Sequence, residues 1–549
     1  MPRLLIVPIV ALMAALYVLP LVDPFPLLDP DEGLHAAITQ EMIARRDYVM
    51  PRFLGQPFLD KPIVFFWAQA LAMIAFGQNE AAARLPGLIF GALGAITTGW
   101  LAATILRNRG GWLAAFFYTT MLVPMALMQS PVHDIALVPF INVALLAFWR
   151  AARASDTARI ANVLVWSALA GVALGVSILT KGLTGVAIVG LAHPTVLLVE
   201  KRLRPVVIAG GGLAFIVAAA IALPWYLAME RAQPGYLHYY FVERHFFGFA
   251  TGTQRHAGRP FWYYVPVLLA GGLPWVVYVP FALRRWWTAP APASADGSAD
   301  ARRLGFAWLL TGWIFLSIAG SKLFTYALPL FPAIALLAMA AWLHRLANAP
   351  SYTRPFDRAA AAHALISALL VPGALIVVSR RFSVSPGLWL WAASCGLAVG
   401  WWLTWRAWTQ GMILLAARRG TLITAATAAL LIAFVVPPVA SRMTARGLAR
   451  YLNAIGQFPP ELWIVRQRLG SVVFYLDPEL RQRVTTNTLR QVQPPQLLQF
   501  TAPPGTLVAV ADEDARRVSR FVPVNDVPYD WPGRYRVYAA ERLGIRTAR

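Results

Sequence analysis

Asp31 follows Pro30 and opens a stretch in which Leu34, Ile38 and Met42 recur four apart. That spacing predicts a helix over 32–44. Asp31 then has two compatible jobs: capping the free N–H groups of that helix, or serving as a base held in a fixed direction. Glu32 is its neighbour. Further on the chain reads Asp60-Lys61-Pro62, His133-Asp134, Thr180-Lys181-Gly182 and Ser321-Lys322, with Tyr326 one turn later. Each has a plain reading. His133 and Asp134 would cap the apolar segment after them, Lys181 and Lys322 would be interface lysines, and Tyr326 an interfacial aromatic. A loop at 230–260 adds Arg244, His245, Arg255, His256 and Arg259 among tyrosines and phenylalanines. Alone, it reads as an amphipathic helix lying on a membrane. Together, these groups suit a substrate with an anionic head on a lipid tail. Ammonium groups offset phosphate charge, a phenol donates to it, and a carboxylate takes a proton.

The elements that must position these residues are membrane spans. Of 549 residues, 58% are hydrophobic and 13% charged. Apolar runs of spanning length recur from residue 4 to about 438, at 4–22, 84–106, 112–129, 135–149, 160–179, 182–199, 206–229, 261–283, 304–320, 323–345, 361–379, 388–407 and 420–438. Arginines and lysines cluster in alternate loops, which should be cytoplasmic. The apolar segment 63–76 is too short and would reverse that pattern, so it is expected as an interfacial or re-entrant helix on the outer side. Roughly thirteen crossings follow, with the N-terminus inside and the C-terminus outside. Every group named in the first paragraph then lies at the outer face. The net charge of +23 is accounted for by loop orientation and anionic headgroups, which excludes nucleic acid as the partner.

After Pro437-Pro438 the composition becomes mixed. Residues 440–549 are expected to form a small soluble α/β domain beside the membrane body 1–439. Ser471–Leu476, Thr506–Val510 and Tyr535–Ala539 read as strands and Asp512–Val518 as a helix. With one cysteine, Cys395, no intramolecular disulfide is possible. Ala289–Ala301 reads as a flexible linker. Gly171, Gly175 and Gly210–Gly212 sit in apolar runs and are packing glycines rather than a phosphate loop.

In order and spacing these segments resemble the bacterial aminoarabinose transferase branch of the protein O-mannosyltransferase-like glycosyltransferases. They include Asp31-Glu32, Asp60-Lys61-Pro62, Ala83-Arg84-Leu85-Pro86, His133-Asp134, Thr180-Lys181-Gly182, Arg244-His245 through His256, and Ser321-Lys322-Leu323 with Tyr326. The resemblance covers about residues 5–345. It implies an all-α polytopic membrane protein of the GT-C fold with periplasmic juxtamembrane helices, in the bacterial inner membrane. It implies inverting transfer of a sugar from a polyprenyl phosphate to a lipid, glycan or protein acceptor such as lipid A. Asp31 would be the base or would orient the acceptor. Lys61, Tyr326, Lys181, Arg255 and Arg259 would hold the leaving phosphate, with Asp134, Glu32, His133 and Lys322 lining the cavity. No cofactor would be needed for the chemistry. Family members can hold a divalent metal such as zinc, here through Asp60 and His256. Leu34, His35 and Gly248 stand where the family often has an arginine, an aromatic and an arginine, which leaves sugar and acceptor open. The rival readings are a transporter or flippase of a polyprenyl-linked saccharide, and a non-catalytic partner subunit.

Overall fold

The computed structural model describes residues 6–107, 110–157, 159–248, 258–288, 297–347, 353–382, 385–466, 470–522 and 535–547. Among them, seven helices are long and apolar enough to cross a bilayer, or eight if one bent pair is a single span. The other apolar segments are also helical but short, broken or less apolar. The run 112–129 splits into Gly111–Thr119 and Leu122–Leu127, and the run 261–283 bends by 102° between Gly271 and Trp275. Gly271, Gly272 and Pro274 sit at that bend, where neither residue type favours a continuous helix. Val64–Phe76 is a helix of 13 residues, as its length suggested. Of the expected linker, residues 289–296 lie outside the described residues, and from Ser298 the chain is helical in Ser298–Ile318.

Two antiparallel helices form the frame of the site. His133–Ala154 and Ile160–Lys181 are joined by a short turn at one end. Asp134 in the first turn of one therefore meets Lys181, the last residue of the other. Each charge also sits at the helix end whose dipole favours it. Helix Ile160–Lys181 packs on Pro205–Ala232 at its small residues: a Cβ on Gly171 would lie 2.5 Å from the Ala214 carbonyl oxygen. The expected packing role holds for Gly171, Gly175 and Gly210, whereas a Cβ on Gly211 or Gly212 would meet open space.

Outside the membrane body, helix Asp31–Arg45 is followed by a minimal hairpin, β1 (Arg52–Phe53) with β2 (Gln56–Pro57). The C-terminal residues build a four-stranded sheet from β3 (Leu462–Val465), β4 (Leu489–Val492), β5 (Leu507–Ala511) and β6 (Tyr535–Ala539). Its order is β4-β3-β5-β6, parallel except for the β5–β6 pair. All four β3 residues are buried, with Leu462 and Ile464 on one face and Trp463 and Val465 on the other. Burial on both faces is the usual state of parallel strands.

One expectation is overturned. Ser471–Leu476, expected as a strand, lies largely in helix Gly470–Tyr475. Its residues do not form a strand of the sheet: Val472 packs in the core beside β3, and Val473 and Phe474 pack on helix Asp31–Arg45. Val473 and Phe474 bury against Ala36, Ala37 and Leu27. The two backbones touch: a Cβ on Gly33 would fall 2.3 Å from the Ser471 nitrogen, and one on Gly470 2.0 Å from the Leu34 nitrogen. Tertiary packing has overridden local strand propensity.

Candidate active site

Asp31 is exposed at the start of its helix. It does not cap: the N-cap position is Pro30, and no side chain caps there. Among the described residues Asp31 accepts no hydrogen bond. Its neighbour does the structural work. Glu32 is buried, pairs with Arg84 Nη2 at 2.7 Å, and accepts from Ser130 Oγ at 2.7 Å and the Leu28 N–H at 3.0 Å. Arg84 in turn donates to the Phe25 and Pro26 carbonyls at 2.5 and 2.8 Å. Glu32 and Arg84 thus lock the loop 23–30 that presents Asp31.

A cavity of about 140 Å³ opens at the same membrane end, lined by Asp60, Lys61, Lys181, Arg244, His245 and Tyr326 among others. Arg244 Nη1 donates to Asp60 Oδ1 at 2.5 Å, and the Tyr239 hydroxyl donates to the same oxygen at 3.1 Å. Lys181 pairs with Asp134, and its ammonium lies 4.1 Å from the centre of the Tyr326 ring. Lys61 is half-buried and, among the described residues, has no ion-pair partner. It lies within electrostatic reach of Lys181, His35 and His245. Asp31 likewise reaches His35 and Tyr326. In a cluster of mostly paired charges, one acid and one base are left uncommitted.

Helix ends make this convergence possible. Gly182 ends helix Ile160–Lys181 with φ +67°, where a Cβ would sit 2.4 Å from His245 Nε2 and 2.9 Å from the Tyr240 hydroxyl. Only glycine lets Lys181 come so close to segment His238–Phe247, which is wound in wide π-type turns. His245 Nδ1 is 2.7 Å from the Tyr240 carbonyl. Burial lowers the His245 imidazole below its ordinary pKa, with Arg244 and Lys61 acting in the same direction. On the far side of Asp60 a second cleft, of about 460 Å³, runs between Leu34, Phe58 and Tyr239 and the C-terminal residues Gly470, Arg490 and Gln491.

Other sequence candidates fall elsewhere. His133 is buried in an aromatic box, its ring 4.7 Å from His35, 4.9 Å from Phe65 and 4.8 Å from Phe66. Lys322 donates to the Ala319 carbonyl at 2.6 Å and the Arg259 carbonyl at 3.3 Å, so it ties loop backbone together. Arg259 is exposed and rests on Tyr263, 4.6 Å from the ring centre. Arg255 and His256 lie outside the described residues. A metal at Asp60 does not fit the described residues. The carboxylate already holds a guanidinium, and no group of three or more histidine, cysteine or acidic side chains stands ready for a metal among those residues. Sequence reasoning passed over Arg244 as the partner of Asp60. The signal was its adjacency to His245 in a loop facing the same side as an acid. It also missed the Asp134–Lys181 pair, which follows from two consecutive helices of near-equal length.

Fold and site together define a polytopic membrane protein of the GT-C glycosyltransferase architecture. ArnT from Cupriavidus metallidurans bound to undecaprenyl phosphate has the same fold. The TM-score is 0.72, with 98% of this chain and 97% of that one covered at 20% identity. The family model for dolichyl-phosphate-mannose-protein mannosyltransferase matches residues 60–227. Sequence similarity to the aminoarabinose transferases is as the motifs suggested. The undecaprenyl phosphate-alpha-4-amino-4-deoxy-L-arabinose arabinosyl transferase of Pectobacterium carotovorum is 34% identical over 342 residues, 62% of this chain and 59% of that relative. That of Aeromonas salmonicida is 33% identical over 327 residues, 59% of this chain and 57% of its own length. The matched region thus spans under two thirds of these relatives.

Proposed function

We propose that this chain is an inverting glycosyltransferase that moves a sugar from a polyprenyl phosphate to an acceptor in the bacterial envelope. The observation that carries the reading is the pair of charges uncommitted among the described residues, Asp31 and Lys61, both within electrostatic reach of His35. Lys61 binds the phosphate that leaves, helped by Lys181 beneath it and by the Tyr326 hydroxyl. The acceptor oxygen attacks the anomeric carbon from the side opposite the phosphate, and Asp31 takes its proton. The cleft beyond Asp60 is the acceptor's approach. Leu34 makes its wall apolar where relatives often carry a guanidinium, so neither aminoarabinose nor lipid A is assigned. The site faces the periplasm, the division between membrane body and C-terminal domain falls near residue 440, and the membrane is the inner one. The names of the similar transferases, which specify undecaprenyl phosphate sugars, support this donor class. The transporter reading is weaker, because the charges gather at one membrane end rather than at the midplane.

The test uses the full chain in a strain lacking it, with lipids and glycans profiled by mass spectrometry. Wild type should restore a glycosylated product. Asp31→Asn should restore at least about a hundredfold less, the typical cost of losing a general base. It should still bind undecaprenyl phosphate in detergent, whereas Lys61→Ala should not. Normal product formation by Asp31→Asn would refute the role of Asp31.

A further inference from the structure

The two helices that carry Asp134 and Lys181 at one end carry a different site at the other. A helix of 22 residues is about 33 Å long, so this second site lies on the opposite membrane face. There an open pocket of about 550 Å³ is lined by Arg107, Arg150, Arg159, Trp149, Trp166 and Asn162 among others. The three arginines come from three elements: the end of Glu80–Ile105, the body of His133–Ala154 and the start of Ile160–Lys181. Arg150 donates to Thr104 Oγ1 at 3.2 Å and lies 4.9 Å from the centre of the Trp166 ring. Its buried Nε has no partner.

Nearby carboxylates do not neutralise these guanidiniums, because other arginines hold them. Glu200 is paired with Arg153 at 2.7 Å and Arg202 at 3.2 Å. Asp156 is paired with Arg202 and, at 3.0 Å, Arg204, and Asp300 with Arg153 at 3.1 Å. Among the described residues Arg107, Arg150 and Arg159 have no ion pair. Loop charge bias alone accounts for arginines at this face. It does not account for three unpaired guanidiniums from three elements around one hollow, one of them stacked on a tryptophan. Exposed apolar residues continue from the hollow along two of its helices. Leu93, Ile96 and Trp100 are exposed on one helix, and Val165 and Val172 on another.

We propose that this pocket binds the phosphate of an anionic diacyl lipid. The guanidiniums hold the phosphate oxygens in charge-assisted hydrogen bonds, the tryptophans sit at headgroup depth, and the acyl chains lie along these exposed apolar residues. The site is separate from the donor cavity, and its test does not depend on turnover.

The experiment uses the full chain stripped of lipid in a neutral detergent, with binding read by native mass spectrometry. The probes are dioleoyl phosphatidylglycerol, dioleoyl phosphatidylcholine and inorganic phosphate. Phosphatidylglycerol should bind and phosphatidylcholine should not compete. Each basic residue near a lipid surface contributes about fivefold in affinity, so Arg107→Gln/Arg159→Gln should weaken phosphatidylglycerol about 25-fold. Both arginines are exposed, so this variant should fold. Arg380→Gln/Arg381→Gln, which removes two exposed arginines elsewhere, should leave binding unchanged. Equal loss in the two double variants, or no loss in the first, would overturn the proposal. So would inorganic phosphate binding as tightly as the lipid, which would make this a site for a soluble anion.

Discussion

The Asp134–Lys181 pair offers a quantitative test of how the cavity is held together. Its two side chains are only 8% and 10% exposed. Removing one partner from such a pair typically costs about 3–5 kcal/mol, because the other charge is left without compensation. Asp134→Asn should therefore lower the melting midpoint in detergent by several degrees. The Tyr326 ring, 4.1 Å from the ammonium, offsets up to about 2 kcal/mol of that loss, since a desolvated cation still gains from an aromatic face. The net destabilisation should be about 1–5 kcal/mol. The double variant Asp134→Asn/Lys181→Met removes both charges and should regain most of the stability, because no charge is then left unpaired. Donor binding should go the other way. Asp134→Asn leaves Lys181 free for phosphate and should bind undecaprenyl phosphate at least as well as wild type. The double variant should bind it less well. Thermal melting and lipid binding on the same three proteins separate the two effects. If the double variant melted no higher than Asp134→Asn, the pair would not be coupled, and the account of Lys181 as a held counter-charge would fail.

Gly470→Ala places a Cβ 2.0 Å from the Leu34 backbone, so the C-terminal domain should loosen from helix Asp31–Arg45. Limited proteolysis should then cut it faster, with the transmembrane body intact; unchanged cleavage would argue that the seam is soft. Burial lowers the His35 pKa below its ordinary 6.5, with the nearby Asp31 charge opposing the shift. The unfolded chain therefore binds more protons than the folded one below about pH 6.5, and stability should fall as pH drops through that window. His35→Gln should flatten this acid limb, and an unchanged slope would refute the assignment. For orientation, with Cys395→Ser as background, a cysteine at Asn79 should react with an impermeant thiol reagent from the periplasmic side. One at Lys201 should not. The reverse pattern would place the cavity in the cytoplasm.

Periodicity and length made the membrane body legible. Each apolar run is helical, and the short segment 63–76 is a helix of 13 residues. The order of the polar motifs pointed to one membrane end, where Asp60, Lys61, Lys181 and Tyr326 line one cavity. Partnership within that set was not legible. Asp31 has the sequence context of a cap, yet Pro30 takes the N-cap position and leaves the carboxylate free. Lys322 looks equivalent to Lys181, yet loop carbonyls engage it. Such choices depend on side-chain direction across loops, which spacing along one chain does not encode. Helix Gly470–Tyr475 was missed for a related reason. Its partner lies more than 400 residues away, where Val473 and Phe474 bury against Leu27, Ala36 and Ala37.

The same contact bears on why Asp31 is where it is. Its helix is held from two sides. Toward the membrane, Glu32 is bound by Arg84 and Ser130. Toward the C-terminal domain, Asp29 accepts from the Ser471 N–H at 3.0 Å and from its hydroxyl, and the Asp29 N–H donates to the Met443 carbonyl at 2.8 Å. Tyr475 accepts from the Leu27 N–H at 2.8 Å and donates to Glu80 at 3.0 Å, where Arg446 also arrives. The residues on either side of Asp31 are thus fixed by separate networks, while Asp31 itself is bound by neither. A carboxylate that moves a proton benefits from this arrangement. Neighbours that are immobilised set its direction, and the absence of a partner among the described residues leaves its oxygens available to substrate. With Asp31 as the proposed base, the C-terminal residues would act on the chemistry through position, as the second jaw of a clamp on its helix.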